Sequence, residues 1–259
     1  MANTALVTGA SSGIGKELAR LHARKGGNLV LVARREAALN ALKAELEQAY
    51  DIQAIVIAAD LAQPDAAQQI FAATEATNVQ IDVLINNAGF GGYGKFHERD
   101  LAQDQAMMQV NMASLVSLTH LYLQGMVQRN SGQILHVAST AGFLPGPLQA
   151  VYYATKAFVL SFSQAIAQEL SDTNITSTAL CPGAVATGFV AAGNLEGNDL
   201  WENAATPESV AACGYAAMEK GELVTINERR LGFMLNWIIP LLPRKMVLKI
   251  SQQSMEKGH

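Results

Sequence analysis

The chain has 259 residues, of which half are hydrophobic and only 15% are charged, so it can bury a large core. Its net charge is −4 and no block of lysine or arginine stands out, which argues against a nucleic-acid-binding protein. The two cysteines, Cys181 and Cys213, are too few for a disulfide scaffold and favour a reducing compartment, so we expect a cytoplasmic protein.

Short apolar runs alternate along the chain with longer segments of helical period. We predict strands at residues 4–7, 28–32, 54–58, 83–85, 134–137 and 176–180. Helices are predicted at 14–25, 36–49, from Pro64 and Asp65 onward, at 104–128 and at 152–170. This alternation predicts an α/β fold with parallel strands and right-handed crossovers. No linker or composition break interrupts residues 1–259, so we expect one domain.

The first predicted strand leads into a glycine-rich turn. The order strand, glycines, helix is that of a pyrophosphate site: Gly9 permits the tight turn, Gly13 lets backbone approach the phosphates, and Gly15 allows close helix–strand packing. A glycine-rich turn without a ligand is the alternative. The residues predicted to hold a dinucleotide here are Gly9, Ser11, Ser12, Gly13, Ile14 and Gly15.

The end of the second predicted strand indicates which dinucleotide is bound. An acid at this position would bond the 2′-hydroxyl of NAD, but Arg34 and Arg35 follow Ala33 instead. Guanidinium groups suit a 2′-phosphate because they stay charged and bind it bidentately. We therefore predict NADP(H) rather than NAD, with Arg34 as the main contact and Arg35 as the second. Alternatively, both arginines are solvated charges that pair with Glu36.

Three residues in the middle of the chain predict the chemistry. Tyr152 and Lys156 are spaced i, i+4 and share a helix face, and Ser139 lies thirteen residues upstream. A nearby ammonium should lower the tyrosine pKa from its usual value of about 10. Tyr152 would then act as general acid or base on a carbonyl or alcohol, and Ser139 would donate a hydrogen bond to the same oxygen. The predicted reaction is hydride transfer between nicotinamide and that group.

Five features, in the same order along the chain, resemble the short-chain dehydrogenase/reductase family in its single-domain form. The resemblance runs from about Thr4 to about Thr187 and implies a three-layer, doubly wound Rossmann fold, with helices on both faces of a mostly parallel sheet. The features are the turn Thr8-Gly-x3-Gly-x-Gly15; Asp60-Leu61; Asn86-Asn87-Ala88-Gly89; Ser139 with Tyr152-x3-Lys156; and Pro182-Gly183-x-Val185-x-Thr187.

The resemblance implies roles on the adenosine side of the site. Asp60 would bond the adenine amino group, with Leu61 beside the ring. Asn87, Ala88 and Gly89 would line the adenosine.

The resemblance also implies roles on the nicotinamide side. Lys156 would hold the ribose hydroxyls, and Asn111 would anchor a water relay behind it. Some NADP-using members carry a basic residue where this chain has Ser12, so the NADP prediction depends on the two arginines. The residues that would hold the nicotinamide carboxamide are Pro182, Gly183, Val185 and Thr187.

The loops expected around the substrate are apolar and aromatic. They are residues 89–94, 142–145 and 187–189, the last within a longer substrate loop at about 183–206. They predict a hydrophobic or neutral carbonyl compound, a ketone or aldehyde, rather than a polyanionic substrate as the small-molecule partner. Alternatively, their aromatic side chains pack under their own loops. The segment after Thr225 resembles the branch of the family that reduces acyl or steroid ketones, which implies a substrate of that type.

A C-terminal apolar segment, at about 228–250, carries Phe233 and Trp237 between flanking arginines and lysines. A partner subunit, a pocket lid or peripheral contact with a membrane could bury it. Its longest apolar run is about 12 residues, shorter than the roughly 20 that a spanning helix needs. The family resemblance implies a homodimer or homotetramer.

The histidines predict no metal site. His22, His97 and His120 lack ligand spacing with each other or with the cysteines. His136, on a predicted strand, is expected to be a buried, hydrogen-bonded side chain. The alternative to an enzyme is a non-catalytic NAD(P)-binding regulator that senses redox poise, although such proteins often lose the tyrosine or lysine kept here.

Overall fold

The computed structural model describes residues 3–188 and 204–256. Its strands are β1 (Thr4–Thr8), β2 (Asn28–Ala33), β3 (Ala54–Ala58), β4 (Val83–Asn86), β5 (Gly132–Val137), β6 (Ile175–Leu180) and β7 (Val224–Thr225). Its α-helices are α1 (Gly13–Arg24), α2 (Glu36–Ala49), α3 (Ala66–Glu75), α4 (Leu101–Met108), α5 (Ser114–Gln128), α6 (Ala150–Glu169), α7 (Pro207–Glu219), α8 (Arg229–Phe233) and α9 (Arg244–Met255).

All seven strands lie parallel in one sheet, in the order β3-β2-β1-β4-β5-β6-β7. The chain winds outward from β1 through β2 to β3, then crosses back to β4 on the other side of β1. The strand order therefore reverses between β1 and β4, and a crevice forms there beyond the carboxyl ends of the strands.

Helices cover both faces of the sheet, which confirms the predicted fold class. One core packs Leu18 of α1, Leu39 of α2 and Val210 of α7 against the first face. The other packs Ile70 of α3 and Leu118 of α5 against the second face. Because both faces are covered, β2 and β3 are nearly continuous apolar runs without alternation.

Several elements differ from the predictions, and the helices α7, α8 and α9 were not predicted. The predicted helix 104–128 is α4, a π-turn at Gln109–Ala113 and then α5, and it begins earlier because the Asp100 side chain accepts the Ala102 N–H at 3.0 Å. α3 starts at Ala66 rather than at Pro64. β7 was not predicted, since it has only two residues.

His136 on β5 is buried and hydrogen-bonded, as predicted. Its Nε2 lies 3.1 Å from the Thr119 hydroxyl, and its Nδ1 lies 3.2 Å from Ser163 and 3.4 Å from Ser177. Burial lowers the pKa of His136 to about 3. The folded protein therefore holds a neutral imidazole three residues before Ser139.

We expect His136 to make the protein less stable in mild acid. Below the unfolded-state pKa of about 6.5 the unfolded chain binds a proton that the folded chain refuses, so stability falls as the pH decreases toward about 3. The loss is about 1.4 kcal/mol per pH unit, or roughly 2 kcal/mol between pH 7 and pH 5. Urea unfolding of wild type and His136→Gln at both pH values measures it. An equal pH dependence in the two proteins would contradict the prediction.

Candidate active site

One cavity of about 870 Å³ lies at the carboxyl edge of the sheet, where the strand order reverses. Among the predicted site residues only Gly15 and Asn111 do not line it. Those that do are Gly9, Ser11, Ser12, Gly13, Ile14, Arg34, Arg35, Asp60, Leu61, Asn87, Ala88, Gly89, Ser139, Tyr152, Lys156, Pro182, Gly183, Val185 and Thr187.

The glycine-rich turn has the backbone that its sequence requires. Gly9 and Gly13 have φ values of +68° and +56°, in the left-handed region that disfavours other residues. A Cβ on Gly15 would lie 2.6 Å from the Gly9 carbonyl oxygen, so Gly15 permits close packing although it does not line the cavity. The turn leads into the N-terminus of α1, whose first N–H groups have no partner within the helix.

Asn87 ties the chain leaving β4 to the end of β1. Its Nδ2 donates to the Thr8 carbonyl oxygen at 2.8 Å, and the N–H groups of Asn87 and Ala88 donate to the Thr8 hydroxyl at 2.9 and 3.0 Å. Asn87 therefore holds two cavity walls together. Sequence reasoning placed it at the adenosine but did not reveal this structural role.

The two arginines after β2 have different surroundings. Arg35 donates from Nη2 to the carbonyl and hydroxyl oxygens of Ser11, both at 3.2 Å. Arg34 is exposed and lines the cavity. Within residues 3–188 and 204–256 neither arginine forms an ion pair with Glu36. The structure therefore does not support the alternative in which both arginines are solvated charges paired with Glu36.

The predicted trio meets in one wall of the cavity. Tyr152 and Lys156 are buried on α6, and Ser139 lies just after β5 and hydrogen-bonds the Tyr152 phenol. The Lys156 ammonium donates to the Val137 carbonyl oxygen at 2.8 Å and lies 5.9 Å from the centre of the Tyr152 ring. Phenol, hydroxyl and ammonium thus point into one space.

The pKa of Tyr152 differs from the sequence expectation. Burial raises it, and this effect outweighs the hydrogen bond from Ser139, which lowers it. Burial also lowers the pKa of Lys156 to about 8. Low polarity around both groups disfavours their charged forms, so the phenol keeps its proton.

Asn111 lies behind the cavity wall, on the π-turn between α4 and α5. Its Oδ1 accepts the Phe90 N–H at 3.1 Å, and its Nδ2 donates to the Phe90 carbonyl and the Thr155 hydroxyl, both at 3.0 Å. A Cβ on Gly89 would lie 3.0 Å from Asn111 Oδ1 and 3.4 Å from Lys156 Nζ. Asn111 and Lys156 therefore approach the same glycine from two sides.

The substrate side of the cavity includes residues that sequence reasoning did not assign. Phe90 and Leu144, from two predicted loops, do line it, whereas Phe143 packs into the core beside α6. Phe189 lies outside the described residues. The unassigned lining residues are Gln149, Tyr153, Leu231, Leu235, Ser254 and Met255.

Within residues 3–188 and 204–256 no three histidine, cysteine, aspartate or glutamate side chains form a group that could hold a metal ion. Cys181 is fully buried, and burial raises the pKa of its thiol to about 12. It is a packed, protonated side chain.

Comparison with known proteins agrees with this arrangement. The family model described as "short chain dehydrogenase" matches residues 3–196, about three quarters of the chain. A 7beta-hydroxysteroid dehydrogenase of Mediterraneibacter gnavus is 30% identical over 235 residues, which cover 90% of this chain and 89% of that protein.

Two solved structures share the whole fold. One, from a study of 7beta-hydroxysteroid dehydrogenase stereoselectivity, has a TM-score of 0.87, 28% identity and coverage of 96% of both chains. The other, a short-chain dehydrogenase from Sphingobium yanoikuyae in complex with NADPH, has a TM-score of 0.84, 30% identity and coverage of 92% of both chains. This chain belongs to the short-chain dehydrogenase family and is an oxidoreductase.

Proposed function

We propose that this protein uses NADP(H) to transfer hydride between nicotinamide and a hydrophobic ketone, aldehyde or alcohol, with Tyr152 as the general acid or base. The observation that carries the proposal is the continuity of the cavity. It runs from the glycine turn and Arg34 to Tyr152 and Ser139 without a dividing wall.

The residues present fit a dinucleotide with a 2′-phosphate. Gly9 and Gly13 bring backbone N–H groups to the pyrophosphate position, and Asp60 and Leu61 line the cavity where the adenine would lie. Arg34 is exposed beside them and is available to a phosphate. The NADPH complex of the Sphingobium yanoikuyae relative supports the same cofactor.

When bound, the reduced nicotinamide supplies the hydride. Tyr152 donates its phenolic proton to the carbonyl oxygen, and Ser139 donates a hydrogen bond to the same oxygen. The phenol is protonated at neutral pH and carries the proton to be donated, although the burial that raises its pKa also makes it a weaker acid. Lys156 keeps two N–H groups beyond its bond to Val137, and we assign them to the ribose hydroxyls.

Asn111 is proposed to hold the water through which, by way of Lys156, Tyr152 regains its proton. The π-turn interrupts the regular hydrogen-bond ladder at this point, a feature found at many functional sites. A water held there would reach Lys156 through the space that Gly89 leaves free.

The substrate end of the cavity supports an apolar carbonyl compound. Phe90, Leu144, Leu231, Leu235 and Met255 line it. The similar proteins named for hydroxysteroids suggest a bulky ketone. Turnover of NADPH with a panel of ketones and aldehydes tests the proposal, and tight cofactor binding without any turnover would indicate a regulator instead.

Replacing Tyr152 should abolish proton transfer. We expect Tyr152→Phe to lower kcat by about 10²–10⁴-fold while leaving NADPH affinity within about twofold, because the ring remains and only the proton donor is lost. Tyr122→Phe is the matched control, since that buried phenol hydrogen-bonds Thr74 outside the cavity. Full activity in Tyr152→Phe would refute the proton-donor role.

Reversing the charge of Arg34 should change the cofactor. Arg34→Asp would repel the 2′-phosphate and bond the 2′-hydroxyl, so the ratio of kcat/KM with NADPH to that with NADH should fall by about 100-fold or more. Lys43→Asp, which makes the same charge change on α2 away from the cavity, serves as control. An unchanged ratio in Arg34→Asp would show that Arg34 does not read the phosphate.

A further inference from the structure

The helical stretch at 229–241 has two apolar faces. Leu231 and Leu235 line the cavity on one face. Phe233, Trp237 and Leu241 lie on the solvent side and are 60%, 69% and 84% exposed. Met234 and Ile238 are also exposed and extend this outer face. Large apolar side chains grouped in this way mark a surface that binds something.

The charged side chains within this segment are all positive, and the acidic residues Glu228 and Glu256 flank it in the sequence. Residues 229–255 contain no aspartate or glutamate, although the whole chain has a net charge of −4. Within the described ranges none of the five cations forms an ion pair. These exposed cations are Arg229, Arg230, Arg244, Lys245 and Lys249.

We propose that this basic apolar surface, residues 229–249, lies on the headgroup region of an anionic phospholipid bilayer. Apolar side chains enter the boundary between headgroups and acyl chains, and arginine and lysine attract the anionic lipids. Trp237 is suited to this boundary because its ring is amphipathic. The contact is peripheral, since no helix in residues 3–188 or 204–256 combines the length and apolarity needed to cross a bilayer.

Co-sedimentation with vesicles tests the surface. Wild type should bind vesicles of phosphatidylglycerol and phosphatidylcholine much more tightly than vesicles of phosphatidylcholine alone, and less tightly in high salt. Arg229→Gln with Arg230→Gln should weaken binding about 25-fold, at about fivefold per cation. Trp237→Glu should weaken it at least tenfold. Leu101→Glu and Lys220→Gln, at exposed positions elsewhere, are the matched controls.

Equal binding of wild type to both vesicle types would overturn the proposal. The proposal would also be overturned if the control variants lost as much vesicle binding as the variants at residues 229, 230 and 237. A wild-type dimer that Trp237→Glu converts to a monomer would assign the surface to a second copy of the chain instead. Size-exclusion chromatography of each variant separates that outcome from lipid binding.

A second observation concerns Gln149, the residue before α6. It lines the cavity and is only 5% exposed, yet its side chain makes no hydrogen bond with a described residue and does not cap the helix. The amide is open to the cavity rather than sealed among protein atoms, so it is available to hydrogen-bond a bound molecule. Tyr152 follows three residues later and lines the same cavity.

We infer that Gln149 hydrogen-bonds a second polar group of the substrate, close to the reacting carbonyl. This inference rests on the proposed function. Because Phe90, Leu144, Leu231, Leu235 and Met255 make most of that cavity end apolar beside Tyr153 and Ser254, the substrate class is a largely apolar carbonyl compound with another oxygen a few bonds away, such as a β-keto ester. A buried amide discriminates strongly against an analogue that cannot pair with it.

A matched pair of substrates tests this role. Wild type should reduce a β-keto ester with a higher kcat/KM than the simple ketone of equal length. Gln149→Met, which keeps the volume, should lower that ratio by about tenfold or more, mainly through KM, with NADPH affinity unchanged. Gln164→Met on the same helix is the control, because its amide donates to the Leu160 carbonyl outside the cavity.

An unchanged ratio in Gln149→Met, with ketone reduction retained, would overturn the inference and leave the proposed function standing. Gln149→Ala repeats the measurement if the methionine variant does not bind NADPH. Absence of any NADPH-linked reduction by wild type would overturn both.

Discussion

The arrangement of the cavity depends on how the end of β1 is joined to the end of β4. The buried Thr8 hydroxyl accepts two backbone N–H groups from the chain leaving β4 and donates to the Ile85 carbonyl at 3.3 Å. Gly9 follows Thr8 directly, and Gly89 follows Ala88. The glycine turn and the loop that approaches Asn111 therefore share one anchor, located where the strand order reverses.

Much of the fold could be predicted because its signals are local. A strand covered on both faces is a continuous apolar run, as in β4, and Leu39, Leu42 and Leu46 mark the buried face of α2. The π-turn could not be predicted, since buried Met107, Asn111 and Leu115 keep the four-residue spacing of one unbroken helix. β7 has no periodic pattern of its own and exists only through its pairing with β6.

The parts of the candidate site that lie within one segment of the chain could be predicted, as with the fold. The glycine turn and the Tyr152–Lys156 spacing lie within single segments, so sequence could predict them. Burial of Tyr152 depends instead on segments far apart in the chain, including Leu144 and Met255, which pack in the same cluster or line the same cavity. The direction of the Tyr152 pKa shift was therefore predicted wrongly. The sequence shows that Lys156 is near the phenol, but it does not show that the fold removes water from around Tyr152.

The loss of solvent shifts the pKa of two groups, a phenol that is negative when ionised and an amine that is positive when ionised. It raises the pKa of the Tyr152 phenol and lowers the pKa of Lys156 to about 8, so both shifts favour the neutral form. At neutral pH a lysine with a pKa of about 8 is still mostly cationic, whereas the phenol is protonated. Carbonyl reduction needs a neutral proton donor beside a cation. Hydride adds to the carbonyl carbon, and the negative charge that then develops on the oxygen lies next to both groups. Burial by itself makes the phenol a weaker acid, so the donor role in the proposed reaction depends on the Lys156 cation and the Ser139 hydroxyl, which stabilise negative charge beside it.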